Sequence, residues 1–265
     1  MALKLFVDFD GTITRQHETR QNRFGGRPEG GPASHFPAGR AGNAFFREFG
    51  GDACDVVVQE FLEGRISAKE CFRREIEAIG TLDLRAASAF LQRQTIDPGF
   101  KEFVSVCRES GTEFHVLSDG LDYCIRKILA ANEIDGVSYF ANTLELGEED
   151  PHGRANIAIT FPYSDSECSR CACCKRNVML THAGESDVIA YIGAGYSDRC
   201  PAQYADIVFA KDELQTYCQQ ENISYFVYQS FNDVVARLRV LLTRTSLQTR
   251  RKAELKRREA FMRES

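Results

Sequence analysis

The sequence predicts an α/β fold in which a mainly parallel sheet carries a small helical cap inserted after the first strand. Strand-like segments alternate with helix-like segments along most of the 265 residues, an arrangement typical of parallel sheets. Several strand-like segments are nearly continuous apolar runs, as expected when helices cover both faces of a sheet. Polar residues directly follow three of these runs, and open α/β sheets bind ligands beyond the carboxyl ends of their strands. The fold class therefore also predicts where a functional site should lie.

Six segments are predicted as strands. Each combines apolar and β-branched residues and is bounded by polar or turn-forming residues. The predicted strands are Leu3–Asp8, Glu113–Ser118, Asn156–Thr160, Val188–Ile192, Ala205–Phe209 and Ser224–Tyr228. We expect Asn156–Thr160 to lie in a flap or an extension of the sheet, and the other five to form its parallel body.

A long insertion separates the first two predicted strands. Apolar residues such as Phe45 and Phe46 recur in it at helical spacing, which predicts several short amphipathic helices. We interpret residues 43–98 as a helical cap over the strand ends. Residues 1–14 and 99–243 would then form the core domain.

Two segments fit neither the core nor the cap. Residues 15–42 include Gln21–Gly42, which holds six of the 20 Gly and three of the 7 Pro residues. Ordering such a composition costs much backbone entropy for little apolar burial, so a mobile loop is predicted, with an ordered lid as the alternative. Residues 244–265 form a basic C-terminal tail, for which a solvated, fraying helix is favoured over nucleic-acid contact.

The composition excludes several classes of protein. Hydrophobic residues make up 43% and charged residues 27%, which is typical of a globular chain. A formal net charge of -5 argues against a dedicated nucleic-acid binder. No apolar run approaches the roughly 18 residues that span a bilayer, and the first apolar run is too short for a signal peptide. We expect a cytoplasmic protein that binds neither nucleic acid nor membranes, with an oligomeric state that the sequence leaves open.

The 10 cysteines favour a reducing environment. Six are scattered singly through the chain, and four are clustered at Cys168, Cys171, Cys173 and Cys174. Four clustered thiols can bind Zn²⁺, but this spacing is tight for one tetrahedral ion. Structural zinc and a redox-sensitive thiol group both stay open as alternatives to plain reduced cysteines, which we favour.

The segment Phe6–Thr14 carries the most specific chemical signal. Two carboxylates, Asp8 and Asp10, leave a buried strand, and burying them is costly unless a cation or a proton compensates their charge. Mg²⁺ suits this position because it prefers oxygen ligands, keeps several waters and takes one or two protein carboxylates. Gly11 allows the sharp turn that follows. The pattern predicts a magnesium site, with a plain acidic turn as the alternative.

The segment DFDGTIT resembles the first motif of the haloacid dehalogenase (HAD) superfamily of phosphatases. Ser118–Gly120 is similar to the second motif, whose hydroxyl and backbone N–H groups can donate to phosphate oxygens. Lys175 stands where the third motif is expected, and Gly193–Asp198 resembles the fourth. The resemblance implies a Rossmann-like HAD fold and a phosphatase of the phosphoserine phosphatase type, with its cap after the first motif.

The resemblance implies a role for each matching residue. Asp8 would attack phosphorus and form an aspartyl-phosphate, and Asp10 would protonate the leaving oxygen and then activate water. The Mg²⁺ would be held by Asp8, by the backbone carbonyl of Asp10 and by Asp198. Lys175 would act on the phosphoryl oxygens and the nucleophile as a catalytic cation. The predicted phosphate-binding residues are Ser118, Asp119, Gly120 and Lys175.

The fourth motif departs from the family pattern at Ala194, where an Asp that completes the metal site is expected. Loss of a residue that only supports a metal ligand already lowers metal affinity or activity by about 10–100-fold. Asp198 could bind the metal directly or through water. Two functions stay open: a Mg²⁺-dependent phosphomonoesterase, or a catalytically impaired or inactive protein that binds a phosphorylated metabolite.

The cysteine-rich approach to Lys175 is similar to that of methionine-salvage 2-hydroxy-3-keto-5-methylthiopentenyl-1-phosphate phosphatases. Those enzymes also carry their cap between the first and second motifs. The resemblance therefore implies a small phosphorylated metabolite as the substrate, with methionine salvage as the suggested pathway.

Overall fold

The fold is known from a computed structural model that describes residues 2–15 and 41–264. Nearly all of the predicted loop 15–42 lies outside these residues. Within the described ranges, the strands are β1 Leu3–Asp8, β2 Thr81–Asp83, β3 Phe114–Leu121, β4 Ser138–Glu149, β5 Arg154–Thr160, β6 Val188–Gly193, β7 Ile207–Ala210 and β8 Phe226–Val227. The helices are α1 Ala41–Gly50, α2 Asp52–Leu62, α3 Ala68–Ile79, α4 Leu84–Gln92, α5 Phe100–Ser110, α6 Asp122–Ala131, α7 Lys175–His182, α8 Arg199–Tyr204, α9 Asp212–Gln220, α10 Phe231–Leu242 and α11 Arg251–Glu264.

The strands form one sheet in the order β2-β5-β4-β3-β1-β6-β7-β8. Six strands that are neighbours in the sheet, in the order β4-β3-β1-β6-β7-β8, are parallel to one another. The remaining strand pairs, β5 with β4 and β5 with β2, are antiparallel. Each of the six predicted strands is present within a few residues of its expected bounds, and β5 does extend the sheet. The predicted α/β fold with a mainly parallel sheet is confirmed.

Two strands, β4 and β2, were not predicted from the sequence. The longer one, β4, begins beside β3 and ends in an exposed half that carries Glu145, Glu148 and Glu149. Because that half faces solvent, it lacks the continuous apolar run that marks a strand buried on both faces. Only three residues make up β2, which is too short for a periodic pattern.

The cap is formed mainly by α1, α2 and α3, which pack against one another. Phe45 and Phe46 of α1 are buried, as their spacing predicts. Ser67 is the N-cap residue of α3: its hydroxyl accepts a hydrogen bond from the Glu70 N–H at 3.2 Å and so satisfies a backbone donor at the start of the helix. The predicted cap also contains β2, which pairs with β5 and ties the cap to the sheet. The domain bounds drawn from the sequence stay a prediction.

The basic tail contains α11, which lies against α8. Arg257 of this helix is only 8% exposed and donates to the buried carboxylate of Asp206 at 3.0 Å and to the carbonyl of Tyr204 at 2.6 Å. Part of the tail is therefore packed against the core. Among the described helices, none is both long enough and apolar enough to cross a bilayer.

Candidate active site

The site is built at the carboxyl ends of three neighbouring strands, β3, β1 and β6. Because these strands are parallel, their ends meet at one edge of the sheet. Asp8 is the last residue of β1, Ser118 lies near the end of β3, and the loop Gly193–Asp198 follows β6. The pairing of β3 with β4 is irregular between Leu117 and Leu121, which frees the Ser118 segment from a regular ladder.

Lys175 links the motifs into one buried network. It is the first residue of α7 and is 1% exposed. Its ammonium donates to Asp8 Oδ1 at 2.6 Å, to Asp198 Oδ1 at 2.7 Å and to the Ser197 hydroxyl at 3.1 Å. Segments far apart in sequence therefore converge on a single cation.

The electrostatics of this network follow from burial and from the shared lysine. Burial, reinforced by repulsion from Asp198, raises the pKa of Asp8 to about 6 even though Lys175 opposes the shift. For Asp198, burial also opposes ionisation, but Lys175 and several hydrogen-bond donors outweigh it and hold the pKa below its ordinary value. Burial disfavours the charged form of Lys175, yet the two carboxylates together raise its pKa well above the ordinary value.

All acceptor positions of Asp198 are engaged inside the protein. Its Oδ1 accepts from Lys175 and from the Tyr191 hydroxyl at 2.7 Å, and its Oδ2 accepts from the N–H groups of Ala194 at 2.9 Å and Gly195 at 2.8 Å. A carboxylate offers about four lone-pair sites, so four donors saturate it. Asp198 thereby orients Lys175, and its predicted contact with the metal stays a prediction.

The second motif packs tightly against the first. The Ser118 hydroxyl donates to Asp10 Oδ2 at 3.2 Å and accepts from the Gly120 N–H at 2.9 Å. A Cβ at Gly120 would lie 2.8 Å from Asp10 Oδ2 and 3.1 Å from Ser118 Oγ, so only glycine fits without a shift of these side chains. The close packing fixes the position of Asp10 beside Asp8.

Asp119, a predicted phosphate-binding residue, lines the cleft and also has partners inside the protein. Its Oδ1 accepts from the N–H groups of Ala172 and Cys173, both at 2.8 Å, and so fastens the cysteine-rich segment to β3. Burial raises the pKa of Asp119 to about 6, although these two backbone donors and Lys175 oppose the shift. These two hydrogen bonds to the carboxylate therefore hold in place the segment that leads to Lys175.

A cleft lies beside the network, between the core and the cap. The core side is lined by Asp8, Asp10, Asp119, Gly120, Arg170, Tyr196 and Ser197, and the cap side by Phe46, Val58, Phe61, Ala68, Cys71, Phe72 and Glu75. The two sides differ in chemistry, because the core presents carboxylates and hydroxyls whereas the cap is mostly apolar. Such a division suits a molecule with one anionic end and one organic end.

The family model described as haloacid dehalogenase-like hydrolase matches residues 5–203, about three quarters of the chain. The chain belongs to this family. The match spans Asp8, Ser118, Lys175 and Asp198, and it confirms the resemblance drawn from the motifs.

Several relatives that align with this chain over nearly their whole length share one name. The chain is 28% identical over 245 residues to the 2-hydroxy-3-keto-5-methylthiopentenyl-1-phosphate phosphatase of Exiguobacterium sibiricum, covering 90% of this chain and 97% of that one. The enzyme of the same name from Brevibacillus brevis is 26% identical over 236 residues, covering 88% and 93%. A solved phospho-aspartyl intermediate analogue of phosphoserine phosphatase matches with a TM-score of 0.60 at 15% identity, covering 89% and 98%, which shows a shared fold.

HAD phosphatases generally use Mg²⁺, and the cleft can be tested for its fit to that ion. The carboxylate oxygens of Asp8 and Asp10 lie in one cleft, where burial raises the pKa of Asp8 because its negative charge lacks enough compensation. Across residues 2–15 and 41–264, however, no three His, Cys, Asp or Glu side chains are placed to hold a metal together. A Mg²⁺ that takes the Asp8 carboxylate and the backbone carbonyl of Asp10 and completes its shell with water and phosphate would fit these residues.

The four clustered cysteines do not form a metal cage in the described part of the chain. Burial raises the pKa of Cys174 to about 11, and it raises the pKa of Cys171 and Cys173 further still. A thiol with a raised pKa is a poor nucleophile and a poor ligand until it loses its proton. Cys173 and Cys174 are buried whereas Cys168 and Cys171 are half-buried, so burial disfavours the thiolate most clearly in the second half of the cluster, and the zinc and redox alternatives stay untested.

Sequence reasoning missed two residues of the network in this HAD protein. Tyr191 lies in the middle of β6, fully buried, with its hydroxyl on Asp198. Its one sequence signal is a tyrosine within an apolar strand, since a buried tyrosine hydroxyl generally needs a partner. The Thr12 hydroxyl donates to Asp8 Oδ2 at 2.9 Å, and its place in the first motif was the available signal.

Proposed function

We propose that the protein is a phosphomonoesterase that acts on a small phosphorylated metabolite through an aspartyl-phosphate at Asp8. The observation that carries this proposal is the buried bridge in which Lys175 contacts both Asp8 and Asp198 at the floor of the cleft. A nucleophilic carboxylate held beside a fixed cation suits attack on phosphorus, because the cation also stabilises charge on the phosphoryl oxygens.

The proposed chemistry has two steps. Asp8 attacks phosphorus while Asp10 gives a proton to the leaving oxygen, so the alcohol departs and the phosphoryl group stays on Asp8. Asp10 then takes a proton from water, the water oxygen attacks phosphorus, and phosphate leaves with Asp8 restored. The Ser118 hydroxyl, which contacts Asp10 at 3.2 Å, is placed to position that acid and to donate to the phosphate.

The proposed cofactor is Mg²⁺, held by Asp8 and Asp10 with water and substrate phosphate as its other ligands. When bound, it would neutralise charge on the phosphoryl oxygens. Ala194 supplies no side-chain ligand, and Asp198, which already accepts four hydrogen bonds, would contact the ion directly or through water.

The proposed substrate class follows from the relatives and from the cleft. Relatives at 25–28% identity that match over most of both chains are named 2-hydroxy-3-keto-5-methylthiopentenyl-1-phosphate phosphatase, a name that describes a phosphate ester with a keto group and a methylthio tail. The apolar cap side of the cleft suits such a molecule. We therefore propose methionine salvage as the pathway. The alternative of an impaired or inactive binding protein rests on Ala194 alone and has no support from the relatives.

The test is hydrolysis of a panel of small phosphate esters with Mg²⁺, comparing the chain with Ala194→Asp and Asp8→Asn variants. We expect the unchanged chain to release phosphate and Asp8→Asn to release none. Phosphate release by Ala194→Asp alone would identify the chain as a disabled phosphatase. If neither the unchanged chain nor Ala194→Asp releases phosphate, the proposed enzyme function is wrong and the alternative of a non-catalytic binding protein is supported.

A further inference from the structure

The cap side of the cleft contains one acidic residue, Glu75, in an otherwise apolar wall. Glu75 lies on α3 and is 3% exposed, yet it lines the same cleft as Asp8 and Asp10. Phe46, Val58, Phe61 and Phe72 line the cleft on the same side, and the rings of Phe46 and Phe72 lie 5.6 Å apart. A buried carboxyl in such a wall is costly unless it has a partner.

The protein itself supplies little compensation for Glu75. Its side chain accepts only a weak bond from the Cys71 thiol, with Sγ 3.8 Å from Oε2. Among the described residues Glu75 forms no ion pair, and the charged neighbour that contributes to its raised pKa is another acid, Asp55. This contrasts with Asp198, whose oxygens are fully used. Glu75 therefore keeps hydrogen-bonding capacity that faces the substrate space.

The protonation state of Glu75 indicates what kind of group it would bind. Burial, with a smaller contribution from Asp55, raises the pKa of Glu75 to about 8, although Cys71 opposes the shift. At neutral pH the side chain is then mainly a carboxylic acid, which can donate one hydrogen bond. A carbonyl or hydroxyl oxygen is a suitable acceptor for that proton.

The rest of the wall restricts the charge of the bound group. Among the described residues that line the cleft the basic one is Arg170, on the core side, and none of the cap residues is basic. A carboxylate packed on the aromatic rings of the cap would therefore lack a partner there, and an unpaired ion in such a place is strongly disfavoured. An alkyl or thioether tail would instead gain from burial there.

We propose that Glu75 selects the leaving group by donating a hydrogen bond to an oxygen of an uncharged organic group whose apolar tail packs on Phe46, Phe61 and Phe72. The inference rests on the proposed phosphatase function and deepens it. It assigns Glu75 to specificity and leaves the chemistry at Asp8 and Asp10.

The test pairs two esters that differ by one oxygen, 2-oxohexyl phosphate and hexyl phosphate, with acetyl phosphate as a reference that has no long tail. The variants are Glu75→Leu and Glu75→Gln, with Glu77→Gln as the control on the exposed face of the same helix. We expect kcat/KM to favour the oxo ester by about tenfold in the unchanged chain, as for one neutral hydrogen bond. The ratio should fall to about one in Glu75→Leu, as the donor is gone.

Glu75→Gln keeps an amide donor and should retain part of the preference, whereas Glu77→Gln should keep all of it. A purely structural role would lower kcat/KM for both esters equally and leave the ratio intact in Glu75→Leu, which would overturn the proposal. A preference of the unchanged chain for 2-aminohexyl phosphate over both esters would overturn it as well.

Failure of the proposed function can be told apart from failure of this inference. If acetyl phosphate and both esters resist hydrolysis, the phosphatase proposal fails, and the same ratio is then measured as the binding affinities of the two esters by calorimetry. An affinity ratio that collapses in Glu75→Leu supports the role of Glu75 even then, and an unchanged ratio removes it.

Discussion

The floor of the cleft and its cap wall bury acidic side chains in opposite ways. At the floor, Asp8 and Asp198 share the ammonium of Lys175, and Asp198 accepts three further hydrogen bonds. In the cap wall, Glu75 has only the thiol of Cys71. The pKa of Asp198 consequently lies below its ordinary value, whereas the pKa of Glu75 is raised to about 8.

The two regions hold two kinds of acid. A carboxylate with enough donors, such as Asp198, stays ionised and fixed in place, which suits chemistry that must occur in one geometry, whereas Asp8 beside the same lysine keeps a raised pKa. An uncompensated carboxyl stays protonated and retains a donor for whatever enters the cleft. Four predictions, ordered by the size of the expected effect, test this contrast.

Removal of the shared cation should have the largest effect. Lys175→Met leaves Asp8 and Asp198 buried without compensation, so we expect the free energy of unfolding to fall by about 3–5 kcal/mol, and activity to be lost. Urea unfolding measures the first and phosphate release the second. Lys101→Met removes an exposed pair with Glu133 and should cost less than about 1 kcal/mol. Equal losses of unfolding free energy in Lys175→Met and Lys101→Met would show that Lys175 does not compensate buried carboxylates.

Removal of a single donor from the floor should have an intermediate effect. Tyr191→Phe deletes the hydroxyl that donates to Asp198, and a hydrogen bond to a charged group contributes about 1.5–3 kcal/mol. In Tyr228→Phe the lost hydroxyl faces the neutral carbonyl of Gly193 at 3.2 Å, so the expected cost is about 0.5–1.5 kcal/mol. Thermal and urea unfolding compare the two, and a larger loss in Tyr228→Phe would contradict the ionised state of Asp198.

The cap carboxyl should show itself in the pH dependence of stability. The folded-state pKa of Glu75, about 8, lies above its ordinary value of 4.5, so the native state keeps a proton that the unfolded chain releases. This destabilises the folded protein increasingly as pH rises from about 4.5 to about 8. Glu75→Gln should therefore gain stability relative to the unchanged chain by at most about 1.4 kcal/mol per pH unit in that window.

Unfolding at pH 5, 6, 7 and 8 (about one-unit steps across that window) measures this slope. Glu77→Gln, on the exposed face of α3, should show no such slope. A difference between Glu75→Gln and the unchanged chain that stays constant with pH would show that Glu75 is ionised and compensated, which would remove the contrast with Asp198.

The smallest effect is expected from the exposed acid beside Glu75. Asp55 is 52% exposed and lies 3.4 Å from Arg47, so Asp55→Asn should change the free energy of unfolding by less than about 1 kcal/mol. Since Asp55 contributes to the raised pKa of Glu75, the pH dependence of Glu75 should shift to lower pH in this variant. A shift to higher pH would contradict that direction.

The sequence predicted most of the sheet and the floor of the site. Leu3–Asp8 reads as a buried strand that ends in acid, and the strand before Ser118 and the one before Gly193 carry the same signal. Parallel strands place such ends at one edge, so Asp8, Ser118 and the Gly193–Asp198 loop could be placed together before any distance was known.

Other features could not be predicted from the sequence. The exposed half of β4 has no apolar periodicity, because solvent covers it. The spacing of the fourth motif places Asp198 near the site but does not show which donors surround it. Only the fold shows that Lys175, Tyr191 and two backbone N–H groups occupy its oxygens.

The sequence by itself determined the fold class, the family and the acids at the strand ends, because strand direction and motif spacing are properties of short segments. The tertiary structure decided which acids are compensated and which are not. Glu75 and Asp198 are both carboxyl groups withdrawn from water, and no local pattern distinguishes them. Their pKa values diverge because Asp198 faces Lys175, which reaches it only through the fold, whereas Glu75 faces aromatic rings and the thiol of Cys71.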